Sequence, residues 1–272
     1  MDFLEAIAGR PALVLGLDPR PERHGGWAAF LEDARALLRA LAGRVAAVKP
    51  QLAFFEAEGR RGMAGLFDLV EYARELGLPV LFDAKRGDVP STAAAYARAW
   101  LSNFPGSALT VNPLLGEDSL LPFFDAAGES GGMVFLLART SNPGARDLLE
   151  LKTEKGPLWA YLLARAEAWN GRFGGRVGAV VGATHAGGLE AARARFSGWI
   201  LAPGVGAQGG EDPKDPQGAL PPLPGDLVPG GAVCPRGEPP GGRGLPPGPR
   251  RLTRGSPRKA LGFASPVALG VA

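Results

Sequence analysis

The chain has 272 residues, 46% hydrophobic and 21% charged, with a formal net charge of +3. That length suits one α/β barrel domain of about 250 residues and is ample for a large core. No basic run precedes residue 250, no apolar stretch is long enough to cross a bilayer, and the lone Cys234 allows no intrachain disulfide and no cysteine zinc site, so nucleic-acid, membrane and disulfide-scaffold roles are excluded.

The first two hundred residues alternate short apolar runs with longer amphipathic stretches. The runs lie at residues 12–17, 45–48, 79–82, 108–111, 133–137, 177–181 and 199–202. Each has the length of a strand and lacks strict alternation, as expected of parallel strands covered on both faces. Between them, residues 27–42, 62–77, 91–103, 117–128, 157–173 and 187–196 carry the apolar stripe of a helix. Seven βα-type units in a row predict an α/β fold of the (β/α)8 TIM-barrel type, with residues 1–210 as the barrel.

The eighth unit is the exception. From Pro203 to Pro257, 28 of 55 residues are Pro or Gly. Such a density breaks helix interiors and confines strands to edges and bulges. The best strand candidate is Asp226-Leu227-Val228, cut short by Pro229-Gly230-Gly231. Residues 211–272 are therefore expected to be a poorly ordered region or the product of a reading-frame shift near residue 211, with no eighth βα unit and with the first and seventh strands unpaired at their edges.

Chemistry concentrates at the ends of the predicted strands. In Leu81-Phe82-Asp83-Ala84-Lys85-Arg86-Gly87-Asp88, a period of two sends Asp83 and Lys85 to one side and Phe82 to the other. Phe82 belongs against the helices, so Asp83 and Lys85 face the barrel mouth, where barrel active sites form. Asp88 follows in the loop. An ordinary strand-end ion pair is the plain alternative. Two carboxylates beside one ammonium favour its charged form, and a fixed ammonium can act as a general acid toward a carbanion. Asp18 ends the first strand and Lys49 the second, so charges from three strands converge on one mouth. Thr110-Val111-Asn112-Pro113 and Arg139-Thr140-Ser141-Asn142-Pro143-Gly144 offer hydrogen-bonding loops suited to a polar heterocycle, or simple turns. Pro203-Gly204-Val205-Gly206-Ala207-Gln208-Gly209-Gly210 follows the seventh strand, where barrels favour phosphate. His24 and His185 have no metal-ligand partner at usable spacing.

The segment Asp83-Ala84-Lys85-Arg86-Gly87-Asp88 resembles the Asp-x-Lys-x-x-Asp signature of the orotidine 5′-monophosphate decarboxylase family. Thr140-Ser141-Asn142-Pro143-Gly144, Val181-Gly182-Ala183-Thr184 and the Pro203–Gly210 loop resemble its longer bacterial subgroup. The resemblance implies that Lys85 protonates C6 of the pyrimidine after carbon dioxide leaves, with Asp83 and Lys49 completing an alternating charge array. It implies that Asp18 and Lys49 bind the ribose and that Ser141 meets the pyrimidine, while Asn112, in its hydrogen-bonding loop, is a further candidate for substrate binding. Gln208, Gly209 and Gly210 would bind the phosphate, joined by Arg236 in a poorly matching Pro- and Gly-rich setting. Asp88 and Thr92 would reach into a neighbouring subunit, making a cytoplasmic homodimer that acts on a small nucleotide without metal or organic cofactor. Other readings are a sugar-phosphate lyase or synthase of the same suprafamily using magnesium, a phosphate-ligand-binding protein without turnover, and a Schiff-base aldolase.

Overall fold

The computed structural model describes residues 1–182, 188–203 and 229–234. Seven parallel strands form where the apolar runs lie. They are β1 (Leu13–Leu17), β2 (Ala47–Pro50), β3 (Leu81–Arg86), β4 (Ala108–Val111), β5 (Met133–Arg139), β6 (Val177–Val181) and β7 (Ile200–Ala202). Helices α1 (Phe3–Ile7), α2 (Pro21–His24), α3 (Trp27–Leu41), α4 (Leu52–Ala57), α5 (Gly59–Glu75), α6 (Pro90–Ala97), α7 (Glu117–Ser130), α8 (Ala145–Leu148), α9 (Leu158–Arg172) and α10 (Gly188–Arg193) lie between them or cap them. A π-helical turn, Arg98–Ser102, continues α6.

The parallel pairs run β1–β2, β3–β4, β4–β5, β5–β6 and β6–β7. Parallel bridges Val48–Val80 and Gln51–Asp83 join β2 to β3 across the two ends of the sheet. The remaining gap, between β7 and β1, is filled by β8 (Pro229–Cys234), which runs antiparallel to both neighbours. The expected open edges of the first and seventh strands are thus corrected: both pair with a segment of the region expected to be poorly ordered, starting at the residues expected to cut its strand candidate short. The candidate strand at 226–228 lies outside the described residues. The eighth element is still no regular βα unit, because its direction is reversed. Cys234 pairs with Ile200 at the start of β7, so β8 ends at the rim opposite the strand C-termini. Pro229 is the first residue of β8, a position where a missing ladder donor is tolerated.

The chain divides into two compact units, Met1–Gly241 and Gly242–Ala272, and the second lies outside the described residues, as does the boundary expected at residue 210.

Period two sorts the side chains of each strand. Outward residues such as Leu15, Val48, Phe82, Leu109, Val134 and Val181 pack beneath the helices in one large cluster. In α3, Phe30, Ala34, Leu37, Leu38 and Leu41 recur every three or four residues and form the buried stripe that meets them. Inward residues Val14, Ala47, Leu81, Ala108, Met133, Phe135, Val180 and Leu201 form a second cluster inside the barrel. Phe3 and Ile7 of α1 plug its N-terminal end, and Asp2 caps that helix while pairing with Arg176. Burial of each large apolar side chain contributes about 1.5–3 kcal/mol. Gly178 leaves room for Phe135, whose ring would lie 2.6 Å from an added Cβ.

Candidate functional site

The inward stripes continue past the apolar layer toward the strand C-termini. Two residues beyond Ala47 stands Lys49, two beyond Leu81 stands Asp83, and two beyond Ala108 stands Thr110. Apolar residues thus line the lower interior and polar ones the mouth, from one unbroken period.

Asp83 is the hub. It is 8% exposed, and its Oδ2 accepts from Lys49 Nζ at 3.1 Å and from Gln51 Nε2 at 2.9 Å. Its Oδ1 accepts from Lys85 Nζ at 2.5 Å and from Thr110 Oγ1 at 3.0 Å. The row Lys49–Asp83–Lys85 therefore alternates in charge. Burial opposes the charge on Asp83, but the Lys49 and Lys85 ammoniums outweigh it and hold its carboxyl below the usual range.

β3 is not a regular strand here. Its pairing advances from Phe82 to Arg86 while β4 advances only from Leu109 to Val111. The ladder thus bulges at Asp83–Lys85. Lys85 adopts φ +50°, the one positive value among the described non-glycine residues. That conformation costs a side-chain-bearing residue roughly 1–2 kcal/mol. Simple alternation therefore does not explain where Lys85 points: the bulge turns it, and the ammonium still meets Asp83. The Lys85 side chain is 45% exposed. A water-poor setting, which would strengthen a general acid's electrostatics, is not supplied to it by the described part of one chain.

Asp18 ends the β1 stripe. Its Oδ1 is buried and has no hydrogen-bond partner among the described residues. Burial pushes its carboxyl above the usual range; the Lys49 ammonium opposes this and the Asp83 charge adds to it. An unpartnered buried acceptor beside a lysine is suited to a ligand hydroxyl.

The other expected site residues are distributed differently. Asp88 Oδ1 accepts from Val89 N at 2.7 Å, while the Lys85 ammonium pairs with Asp83. Thr92 lies exposed on α6, one turn beyond Asp88. Asn112 Oδ1 accepts from Leu114 N at 3.0 Å, so its carbonyl serves its own turn. It also borders a pocket of about 200 Å³ with Leu137, Thr140, Ala145 and Leu148. Ser141 packs against Gly182, where an added Cβ would come within 2.8 Å of it. The loop bearing Ser141 is anchored at its base by Arg139, which pairs with Glu150 at 2.5 Å, and Glu150 in turn accepts from Trp159 Nε1. Gln208, Gly209, Gly210, Arg236 and His185 lie outside the described residues. No group of three or more His, Cys, Asp or Glu side chains able to hold a metal occurs among the described residues, and no described helix is long and apolar enough to cross a membrane.

Sequence reading missed Gln51 and the part played by Thr110. Both sit on inward stripes, at 47-49-51 and 108-110-112, so period two could have placed them at the mouth.

A parallel α/β barrel with charged side chains from successive strands gathered at its C-terminal mouth is a barrel enzyme by architecture. The sequence profile described as Orotidine 5'-phosphate decarboxylase / HUMPS family matches residues 11–226, and the chain belongs to that family. It is 45% identical over 208 residues to orotidine 5'-phosphate decarboxylase of Deinococcus radiodurans, covering 75% of this chain and 76% of that one. Among solved structures it is similar to Leishmania donovani OMP decarboxylase, with 38% identity, TM-score 0.68 and coverage of 75% and 80%. It is also similar to Leishmania donovani UMP synthase, with 40% identity, TM-score 0.70 and coverage of 78% of this chain. It spans 46% of that longer protein.

Proposed function

We propose that this chain is a carboxy-lyase that converts orotidine 5′-monophosphate to UMP in pyrimidine biosynthesis, with Lys85 as the acid. The observation that carries the mechanism is Asp83 held between Lys49 and Lys85. In the reaction the bond between C6 and the carboxylate carbon breaks, carbon dioxide departs, and the electron pair stays on C6. The Lys85 ammonium gives that carbon a proton, and the amine regains one from solvent. The ring delocalises the C6 charge poorly, so stabilisation must come from a fixed cation and from binding energy at the remote phosphate. Asp83 keeps the two ammoniums in place and lies beside the departing carboxylate. Asp18, whose Oδ1 has no hydrogen-bond partner among the described residues, and Lys49 take the ribose hydroxyls. Ser141 takes the pyrimidine, and Gln208, Gly209 and Gly210 the phosphate.

Purified protein given orotidine 5′-monophosphate in EDTA should show the absorbance change of decarboxylation at a rate that added magnesium does not alter. No turnover, or turnover that requires magnesium, would remove this reading and favour the sugar-phosphate lyases.

The same reading makes the enzyme a cytoplasmic homodimer. Asp88 and Thr92 support this: both stand outside their own chain's charge row, on a loop and a helix facing outward. Mixing Lys85→Ala with Asp88→Ala protein under subunit exchange should restore roughly a quarter of parental activity. Random pairing makes half the dimers mixed, and each mixed dimer of a two-fold assembly has one intact site. No recovery would place Asp88 in the site of its own chain.

A further inference from the structure

We infer that Thr110 is a positioning residue for the decarboxylation proposed above, tethering the bulged backbone at Lys85 so that its ammonium stays aimed at the reacting carbon. The inference rests on that functional reading for its substrate, but its geometry is independent of it. The bulge removes the amides of Ala84 and Lys85 from the β3–β4 ladder. Buried amides without acceptors are costly. Thr110 Oγ1 accepts from both, at 3.0 Å from Ala84 N and 2.9 Å from Lys85 N. The same hydroxyl donates to Asp83 Oδ1 at 3.0 Å. One hydroxyl has one proton and two lone pairs, and here all three are used. Thr110 is 1% exposed, so the shared oxygen is itself shielded from water.

The hydroxyl therefore couples three things that must agree: the left-handed turn at Lys85, the orientation of the Asp83 carboxylate, and the distance between them. A β-branched side chain on a strand is already stiff about its first torsion, so the oxygen is delivered without much entropy loss. Neither Thr110 nor the ladder touches the reacting carbon in this scheme. Its effect runs through Lys85 and Asp83.

Thr110→Val keeps the shape and deletes the hydroxyl, while Thr110→Ser keeps the hydroxyl. Thr110→Val should lower kcat by at least about tenfold, the effect of losing a bond to a charged or strained group, with KM changed by less than about threefold. Thr110→Ser should return kcat to within about threefold of the parent. Backbone amide exchange read by NMR should speed up at Ala84 and Lys85 by at least about tenfold in Thr110→Val and not in Thr110→Ser. Unchanged exchange in Thr110→Val, a kcat that stays within about threefold, or a kcat loss that serine does not rescue would each overturn the tether. The exchange measurement needs no substrate. A parent protein without turnover would therefore sink the proposed function, while exchange at Ala84 and Lys85 would still decide the tether.

Discussion

Asp83→Asn should cut turnover by at least about a hundredfold, the scale seen when one preorganised electrostatic group is removed from a site. The substitution keeps the side chain's shape. It removes the negative charge that Lys49 and Lys85 both address, at 3.1 and 2.5 Å. The two ammoniums then repel one another without a counter-ion, and Lys85 loses its fixed direction. Lys49 is 5% exposed and would lose its hydrogen-bonded counter-ion, with the Asp18 carboxylate left as the nearby acidic group. That should also destabilise the fold at neutral pH by about 1–3 kcal/mol, which a thermal melt reads directly.

The pH dependence of that loss has a definite sign. The folded protein holds the Asp83 carboxyl below its ordinary value of 3.8. Its contribution to stability is therefore complete above that value and is lost as pH falls through the lower folded one. Denaturation curves of the parent should steepen on the acid side of pH 3.8, and those of Asp83→Asn should lack that component. Equal acid sensitivity in the two proteins, together with unchanged turnover, would reduce the Lys49–Asp83–Lys85 row to an ordinary ion pair.

The seven parallel strands were legible because strands buried on both faces read as continuous apolar runs, and the helices because their stripes repeat at 3.6 residues. Lys49, Asp83 and the family signature were legible for the same local reasons. The bulge at Asp83–Lys85 was not, because it is a mismatch in pairing with Leu109 and Val111, and register is a property of two segments rather than one. Thr110 answers to that mismatch, so its importance was hidden with it. The antiparallel β8 was also hidden. Pro229-Gly230-Gly231 carries turn chemistry, and only the unfilled gap between β1 and β7 makes strand pairing favourable there. The short helix α1 lacked a long stripe, yet Phe3 and Ile7 close the barrel floor because the interior otherwise ends in open apolar surface.

In the proposed reaction Lys85 delivers the proton. It is the cation at the open end of the charge row: Lys49 is sealed beneath Asp83, whereas the Lys85 side chain is 45% exposed at the mouth and can reach a ligand. General acids of this kind contribute about a hundredfold or more to rate. The direct measurement is steady-state turnover of orotidine 5′-monophosphate by Lys85→Ala, with UMP binding followed by calorimetry and folding by thermal melt. Turnover at least about a hundredfold below the parent, with a normal melt and UMP still bound, is the expected result. Turnover within about threefold of the parent would contradict the assignment of Lys85 as the acid.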